Sequence, residues 1–312
     1  MKMRKHIAFK LLSLLTATLL VQTVQAIELN AEPTFIITKG LSKPESAYFI
    51  NKHIYISNID GDSSTKDGSG WISKVDAKGK MLNEKWVKGL NAPKGLRSWN
   101  NWLLVTDIDQ LVVINLKNGK IVRKISLPNA KFLNDVAVDQ HGNAYVSDTM
   151  QSAIYQVSGF ATAHPQSTVW ITGLEQAPNG LYADKDRLVI ASWGSQIADG
   201  FKVKDLGGVY SIGYKNKDRQ DIAVAPIANL DGLERMKDGS WLFSAKIQDR
   251  LYHIAQGQAD SRVLRQSDRK VTSSNTSEAV AVDAADIGLM ESHKLILVPN
   301  MLKNQVTAIG YH

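Results

Sequence analysis

Six polar residues recur along the chain at intervals of 40 to 55 residues, and each one begins a short apolar strand. They are Glu45, Lys94, Asn134, Asn179, Asp231 and Asp286. Regular recurrence at this interval predicts that each residue holds the same place in a structural repeat. Side chains in equivalent places would converge at one point of the fold, where buried charge requires a counter-charge or a metal ion.

Four of the six residues, Glu45, Asn134, Asn179 and Asp231, offer oxygen atoms as metal ligands. Two carboxylates and two amides suit Ca²⁺, which takes about six to eight oxygen ligands, so water or substrate would complete the coordination. Zn²⁺ is disfavoured because the chain has no Cys. We therefore expect Ca²⁺ or another divalent cation at these residues. In the alternative interpretation they form a hydrogen-bonded plug, with Lys94 balancing Asp286 or Glu45.

The repeats themselves begin with hairpins of two short strands. Residues 134–148, NDVAVDQHGNAYVSD, alternate apolar and polar residues on both sides of a polar turn, which is typical of a β-hairpin. A third strand follows in all six repeats and a fourth in five, without a helical period. Repeats of this length and content predict β-propeller blades. The predicted fold class is all-β, a six-bladed β-propeller.

Closure of the ring is expected at the N-terminus. Thr34–Lys39 is a strand without a hairpin of its own, and the sixth repeat ends at His312 without a fourth strand. We expect this strand to complete the last blade, which removes exposed sheet edges. Two long connections, Asn58–Gly70 and Trp193–Gly207, should wall the pocket and set its specificity, with Trp193 in contact with it.

The first 26 residues have the features of a secretory signal peptide. Four Lys or Arg residues precede an apolar run over Leu11–Val21, and small residues follow up to Ala26. The run is short for a membrane anchor. The whole chain has a net charge of +7, and removal of this segment leaves +3, which argues against nucleic-acid binding. We predict a cleaved signal peptide over residues 1–26, a single domain over 27–312, a secreted or periplasmic location and no membrane insertion after cleavage.

Catalytic roles can be assigned to three of the recurring residues. Asp231 is the candidate general base or nucleophile, and it would also touch the metal. Asp286 is a second candidate because it need not be a ligand. Lys94 would bind an anionic substrate group or stabilise an oxyanion, or else form only a salt bridge. The sequence contains no signature of serine, zinc or thiol hydrolases and no phosphate loop.

The chain resembles the regucalcin/gluconolactonase (senescence marker protein) family and, more distantly, the calcium-dependent phosphotriesterases and paraoxonases. The residues that carry the resemblance are Glu45 in PES, Asn134 in NDVAVDQHGNAYVSD, Asn179 in PNGL and Asp231 in LDGL. The resemblance implies a six-bladed propeller with a divalent metal, usually Ca²⁺, at the top of its channel. It also implies hydrolysis of lactones, esters or phosphoesters. Phe132 stands where the sugar lactonases of this family carry an arginine that holds substrate.

The expected function is that of an exported Ca²⁺-dependent hydrolase of the lactonase or esterase type. It would act on a small molecule at the top of the propeller channel. The alternative is a non-enzymatic periplasmic propeller that binds a small ligand or a protein, with any calcium structural. Both hypotheses stay open here, because a fold and a site do not by themselves establish turnover.

Overall fold

The computed structural model describes residues 27–257, 262–263 and 284–312. The predicted signal peptide, residues 1–26, lies outside the described residues. Six antiparallel sheets of four strands each are arranged as the blades of a propeller. The prediction of an all-β, six-bladed propeller is confirmed.

The first half of the chain supplies one leading strand and three complete blades. In chain order these are the leading strand β1 (Leu29–Ile37); blade one, β2 (Pro44–Ile50), β3 (His53–Asn58), β4 (Gly70–Asp76) and β5 (Met81–Leu90); blade two, β6 (Pro93–Trp99), β7 (Trp102–Asp107), β8 (Gln110–Asn115) and β9 (Ile121–Ser126); and blade three, β10 (Leu133–Val138), β11 (Ala144–Asp148), β12 (Ala153–Ser158) and β13 (Gln166–Ile171).

The second half supplies the other three blades. They are blade four, β14 (Gln176–Ala183), β15 (Arg187–Ser195), β16 (Gly207–Gly213) and β17 (Arg219–Ala228); blade five, β18 (Leu230–Arg235), β19 (Trp241–Ala245), β20 (Arg250–Ile254) and β21 (Arg262–Val263); and the chain's last strands, β22 (Gly288–Met290), β23 (Leu295–Asn300) and β24 (Gln305–Tyr311). Two single-turn 3₁₀ helices, Asp199–Phe201 and Glu291–His293, lie in the connections of the described part of the chain. Within the described ranges, no helix is both long and apolar enough to cross a bilayer.

Strand β1 closes the ring as its position in the sequence predicts. It pairs antiparallel with β24, with Ile37 opposite Val306, and sheet six has the order β1-β24-β23-β22. The strand extends over Leu29–Ile37 rather than the predicted Thr34–Lys39. Blade six therefore combines both ends of the described domain, and pairing to β1 covers one edge of β24.

Six clusters of the hydrophobic core each lie between two neighbouring blades, and a smaller seventh cluster consists of Ile59, Ala92 and Ile108. Strand β8 shows how one strand serves two clusters. Leu111 and Val113 pack toward blade three, whereas Val112 and Ile114 pack toward blade one. Successive side chains of a strand point to opposite faces, so a strand buried on both faces is apolar throughout. This packing holds the first strand of each blade around the central channel.

Candidate functional site

Four of the predicted oxygen donors and Lys94 lie around a single cavity at one end of the channel. The cavity has a volume of about 140 Å³. Its lining includes Glu45, Lys94, Asn134, Asn179 and Asp231. The residues come from β2, β6, β10, β14 and β18, the first strands of blades one to five. Tertiary structure thus gathers side chains that are far apart in sequence, and we call this end of the channel the upper mouth.

A β-bulge recurs at the position of these residues in every one of the five blades. The register between first and second strands shifts after Pro44, Pro93, Leu133, Pro178 and Leu230. A bulge re-aims side chains next to the irregularity. In each of these blades the bulge lies beside the cavity-lining residue. The bulge therefore turns one polar side chain toward the channel, while the rest of the strand stays in the core.

Glycine after the cavity-lining residue permits close packing between blades. A Cβ atom added at Gly180 would lie 2.2 Å from the carbonyl oxygen of Asp231 in the next blade. Only hydrogen fits at that distance, because real Cβ atoms do not approach backbone oxygen so closely. The glycine in PNGL is therefore required by the approach of blades four and five, and it positions Asn179 beside Asp231.

Asp286 does not occupy the position in blade six that the comparison of the repeats predicts; it lies one residue further along the chain. The Ser147 hydroxyl donates to the carbonyl oxygen of Asn179 at 2.7 Å, and the Ser244 hydroxyl donates to that of Ala285 at the same distance. Ala285 is therefore the sixth-blade equivalent of Asn179, and it contributes no polar side chain. Asp286 forms a parallel bridge with Ser46 and is absent from the cavity lining.

Below the upper mouth lies a second layer of buried acids, which we call the lower layer; it consists of Asp135, Asp286 and Glu234, with Arg97 as its cation. Asp135 accepts hydrogen bonds from the amides of Val136 at 2.6 Å and Leu181 at 2.7 Å. Asp286 accepts from the Ser46 hydroxyl at 2.5 Å, and Arg97 pairs with Glu234 at 3.0 Å. The sequence does not indicate Asp135 and Glu234, because each stands beside or beyond the recurring position, and it assigns Asp286 to the upper mouth in place of this layer.

Burial dominates the electrostatics of both levels. It raises the pKa of Asp135 to about 7, although Arg97 and two backbone amides oppose the rise. Burial also raises the pKa of Asp286 well above its usual value, with Asp135 and Glu45 adding to the effect. Desolvation favours the neutral carboxylic acid. The buried carboxyl groups of the channel are therefore protonated more readily than exposed ones.

The upper mouth contains buried oxygen atoms without partners. Among the described residues, no hydrogen-bond donor reaches Glu45 Oε2 or Asn179 Oδ1. The Asn179 amide nitrogen donates to the carbonyl of Leu230 at 3.1 Å, which fixes the amide orientation. Burial raises the pKa of Glu45 well above its usual value; Asp231 adds to this rise, whereas Lys94 and Lys246 oppose it.

These donors fit a cation of the Ca²⁺ type. Among the residues that the structure describes, no group of three or more His, Asp or Glu side chains gathers as a metal site. An ion at the upper mouth would therefore depend on the Asn134 and Asn179 amides together with Glu45 and Asp231. Mixed carboxylate and amide oxygen ligands are usual for Ca²⁺ and unusual for Zn²⁺.

Part of the cavity wall comes from the two long connections, as the sequence predicts, and Phe132, Thr149 and Met301 line the rest. Ile59 and Ser63 belong to the loop after β3, and Phe201 belongs to the loop after β15. Trp193, which lies near the end of β15, also lines the cavity. The Trp193 indole donates to the carbonyl of Phe201 at 2.9 Å. Phe132 packs against Phe201 with ring centroids 4.9 Å apart. The wall is thus largely apolar above a polar floor.

Two lysines also line the cavity. Lys94 is 2% exposed, and its Nζ donates to the carbonyl oxygens of Ser63 at 3.0 Å and Ala92 at 3.2 Å. Burial lowers its pKa to about 8, against the opposing effect of Glu45 and other acids. Lys246 follows β19. Sequence reasoning missed Lys246, because it lies in a connection and not at the start of a first strand.

A larger groove of about 820 Å³ lies at the other end of blades three and four, around His141 and Tyr214. It is lined by turn residues, including the exposed Lys185 and Asp218. His141 is therefore remote from the recurring polar residues. The upper mouth remains the better candidate site, because buried ionisable groups converge there.

Comparison with known proteins supports the fold. No protein-family model matches the chain, and no curated protein matches it. One similar solved structure is a catalytically inactive variant of virginiamycin B lyase from Staphylococcus aureus with quinupristin. It is 14% identical in sequence, has a TM-score of 0.56, and the match covers 91% of this chain and 99% of that chain. A streptogramin B lyase structure is 11% identical, with a TM-score of 0.58 and coverage of 92% and 98%.

Such low identities show the shared propeller fold and nothing finer. The fold and the site together define a six-bladed propeller with a buried, oxygen-lined cavity at one mouth of its channel. Because no family model matches the chain, the resemblance to the regucalcin/gluconolactonase family stays a hypothesis.

Proposed function

We propose that this chain is a divalent-cation-dependent hydrolase, with Ca²⁺ the best-suited ion, that acts on a small ester or lactone at the upper mouth. The observation that carries the proposal is the pair of buried oxygens, Glu45 Oε2 and Asn179 Oδ1, which lack donors among the described residues and share a cavity with Asn134 and Asp231. Buried polar atoms without partners cost free energy. A bound cation would remove that cost.

The charges of the channel support a doubly positive ion. Around the upper mouth and the lower layer, the described residues include five carboxylic acids, Glu45, Asp135, Asp231, Glu234 and Asp286, and three basic groups, Lys94, Arg97 and Lys246. With all of these groups ionised, the acids outnumber the bases, and Asp62, Asp107 and Asp148 add further negative charge near Lys94. A bound divalent cation would offset part of this excess, and the alternative is protonation of buried acids.

Each residue at the upper mouth has a proposed role. Glu45, Asn134, Asn179 and Asp231 would hold the ion. Bound there, the cation would polarise a carbonyl oxygen and stabilise the negative charge that develops on it. Asp231 would accept a proton from the attacking water or act as the nucleophile. Asp286 lies below the cavity, so we assign it to the support of the charged floor and not to contact with substrate.

The reaction could also be an elimination, since the structural neighbours with the same fold are named as lyases. The products separate the two reactions, because hydrolysis incorporates a water oxygen whereas elimination leaves a double bond and no added oxygen. Mass spectrometry in ¹⁸O-labelled water would distinguish them. We favour hydrolysis, because the cavity lining contains two carboxylates, Glu45 and Asp231, either of which could activate water.

A second candidate function is binding without turnover. The cavity volume of about 140 Å³ is below the roughly 300–1,000 Å³ typical of small-molecule sites, and this favours a small bound ligand or an ion that only joins the blades. A calcium-dependent rise in melting temperature without hydrolysis of any substrate would support this function over the enzyme.

We also propose that the mature protein is exported after removal of residues 1–26, as the signal-peptide pattern of the sequence suggests. Expression of the full chain in a bacterial host, followed by mass spectrometry of the protein in the periplasmic fraction, tests this. Mature protein that begins near Ile27 is expected. Retention of the intact chain in the cytoplasm would contradict export.

The proposed activity is tested by measuring the hydrolysis of a panel of lactones and esters. The metal bound to the purified protein is measured separately by mass spectrometry. Chelation should abolish hydrolysis, and added Ca²⁺ should restore it. Asp231→Asn should be inactive, whereas Asp199→Asn, an exposed acid in a loop near the cavity, should keep full activity. Hydrolysis that survives both chelation and Asp231→Asn would overturn the proposal.

A further inference from the structure

One side of the cavity is closed by three aromatic rings that pack on one another. The ring centroid of Phe201 lies 4.9 Å from that of Phe132 and 6.0 Å from that of Trp193, and both pairs meet edge to face. Phe132 and Trp193 are 7% and 6% exposed, whereas Phe201 is half-buried. Phe201 is therefore the outermost of the three rings, and it touches both the cavity and solvent.

The backbone of Phe201 has a conformation that bulky residues rarely adopt. Its φ angle is +59°, in the left-handed region, and Gly200 before it has a φ angle of +70°. Such a conformation persists only where the surrounding structure fixes it, and it is frequent where a protein clamps a ligand. The Trp193 indole donates to the Phe201 carbonyl at 2.9 Å, and the Ala198 amide donates to the Lys202 carbonyl at 2.8 Å. These two hydrogen bonds hold the turn that carries the ring.

The two arms of the loop that carries Phe201 are hydrogen-bonded to each other. The Ser195 amide donates to the Asp205 carbonyl at 2.9 Å, and the Lys204 amide donates to the Ser195 carbonyl at 2.9 Å. A Cβ atom added at Gly194 would lie 2.5 Å from the same Asp205 carbonyl, so glycine lets the arms approach closely. The loop therefore holds Phe201 as a fixed part of the wall, and a ligand must fit the space that the ring leaves.

We propose that Phe201 sets the upper limit on substrate size, and that the site takes esters and lactones of short-chain acids. This inference rests on the proposed function, because the reacting carbonyl must enter the cavity to reach Glu45 and Asp231. The cavity volume of about 140 Å³ is below the roughly 300–1,000 Å³ that is typical of small-molecule sites. A longer chain would overlap the fixed ring, since closely packed side chains leave no space for extra atoms.

The experiment measures kcat/KM for the ethyl esters of acetic, butyric, hexanoic and octanoic acids in saturating Ca²⁺. The wild type should prefer the two shorter esters. Phe201→Ala should raise the ratio of kcat/KM for the octanoate to that for the acetate about tenfold or more, because each methylene that an apolar pocket accepts changes kcat/KM by about 10–200-fold. Phe201→Leu should give an intermediate ratio. Lys202→Ala, which changes an exposed neighbour in the same loop, is the matched control and should keep the wild-type ratio.

A second measurement tests the same wall without turnover. Butyramide should raise the melting temperature of the wild type and octanamide should not, whereas octanamide should stabilise Phe201→Ala.

Three outcomes would overturn the size inference. They are an unchanged ester ratio in Phe201→Ala, an equal fall of kcat/KM for all four esters, which would mean that the ring only supports the loop, and equal stabilisation of the wild type by both amides. Calcium-dependent turnover with any of these outcomes would reject this inference alone. Absence of both metal binding and turnover would reject the proposed function, and the two amides would still decide whether Phe201 limits the size of a bound molecule.

Discussion

The upper mouth and the lower layer of the channel are both polar and buried, but their hydrogen bonding differs. In the lower layer, Asp135 and Asp286 accept hydrogen bonds from the chain, and Glu234 pairs with Arg97. At the upper mouth, Glu45 Oε2 and Asn179 Oδ1 have no donor among the described residues. The lower layer is therefore satisfied by the protein itself, whereas the upper mouth lacks partners that a ligand would supply.

Adjacent residues of the sequence can belong to the upper mouth and to the lower layer. Asn134 lines the cavity, and its neighbour Asp135 belongs to the lower layer. The bulge after Leu133 directs consecutive side chains to different levels of the channel. A shift of one residue thus changes a candidate ligand into a supporting group, as the placement of Asp286 shows.

The largest expected effect is on activity at the upper mouth. Asp231→Ala should lower kcat for the best ester substrate by about 10²–10⁴-fold, the usual contribution of a general acid or base. Stability should change far less, which circular dichroism and thermal melting would check. A variant that retains near-normal kcat would show that the upper mouth is not the catalytic centre.

The next effect concerns the lower layer and is on stability. Arg97→Met leaves Glu234 buried without its partner, and loss of one partner of a buried ion pair costs about 3–5 kcal/mol. Denaturant unfolding measures the change. The double variant Arg97→Met with Glu234→Gln should recover part of the loss. Equal stability of the wild type and Arg97→Met would mean that this layer does not depend on its ion pair.

The third effect separates the two levels directly through calcium binding. If Ca²⁺ binds as proposed and raises the melting temperature, Glu45→Gln should abolish that rise, a loss of up to about 2.7 kcal/mol at a hundredfold excess of Ca²⁺ over its Kd. Glu234→Gln, which changes a buried carboxylate of the lower layer, should keep the calcium-dependent rise. Loss of the rise in both variants would indicate a general effect of buried charge in place of a specific ligand.

The smallest effect lies on the loop that walls the cavity. Lys66 in this loop pairs with Asp109, and the lysine side chain is 56% exposed. Lys66→Ala should change the free energy of unfolding by less than about 1 kcal/mol, since exposed ion pairs contribute little. Substrate KM and kcat should stay close to those of the wild type. A large rise in KM would instead show that this surface pair holds the loop over the cavity.

The sequence predicts the fold well because its signals are local. Alternating strands, polar turns and a repeat of 40 to 55 residues indicate propeller blades. The unpaired strand near residue 34 indicates ring closure, and pairing of β1 with β24 confirms it. Four cavity-lining donors were also found from their recurrence at the start of each blade. Asp286 was misplaced because β22 has only three residues, so the sixth repeat offers little pattern to align.

Sequence by itself determined the all-β class, the six blades and the residue types that meet in the channel, since strand period and repeat length are encoded along the chain. Only the tertiary structure decided which side chains share one cavity and which lie a layer below. The pairing of Arg97 with Glu234 joins residues 137 positions apart, and Lys246 reaches the cavity from a connection without a repeat signal. Contacts of this kind depend on how the blades pack around the axis, and no local pattern specifies that packing.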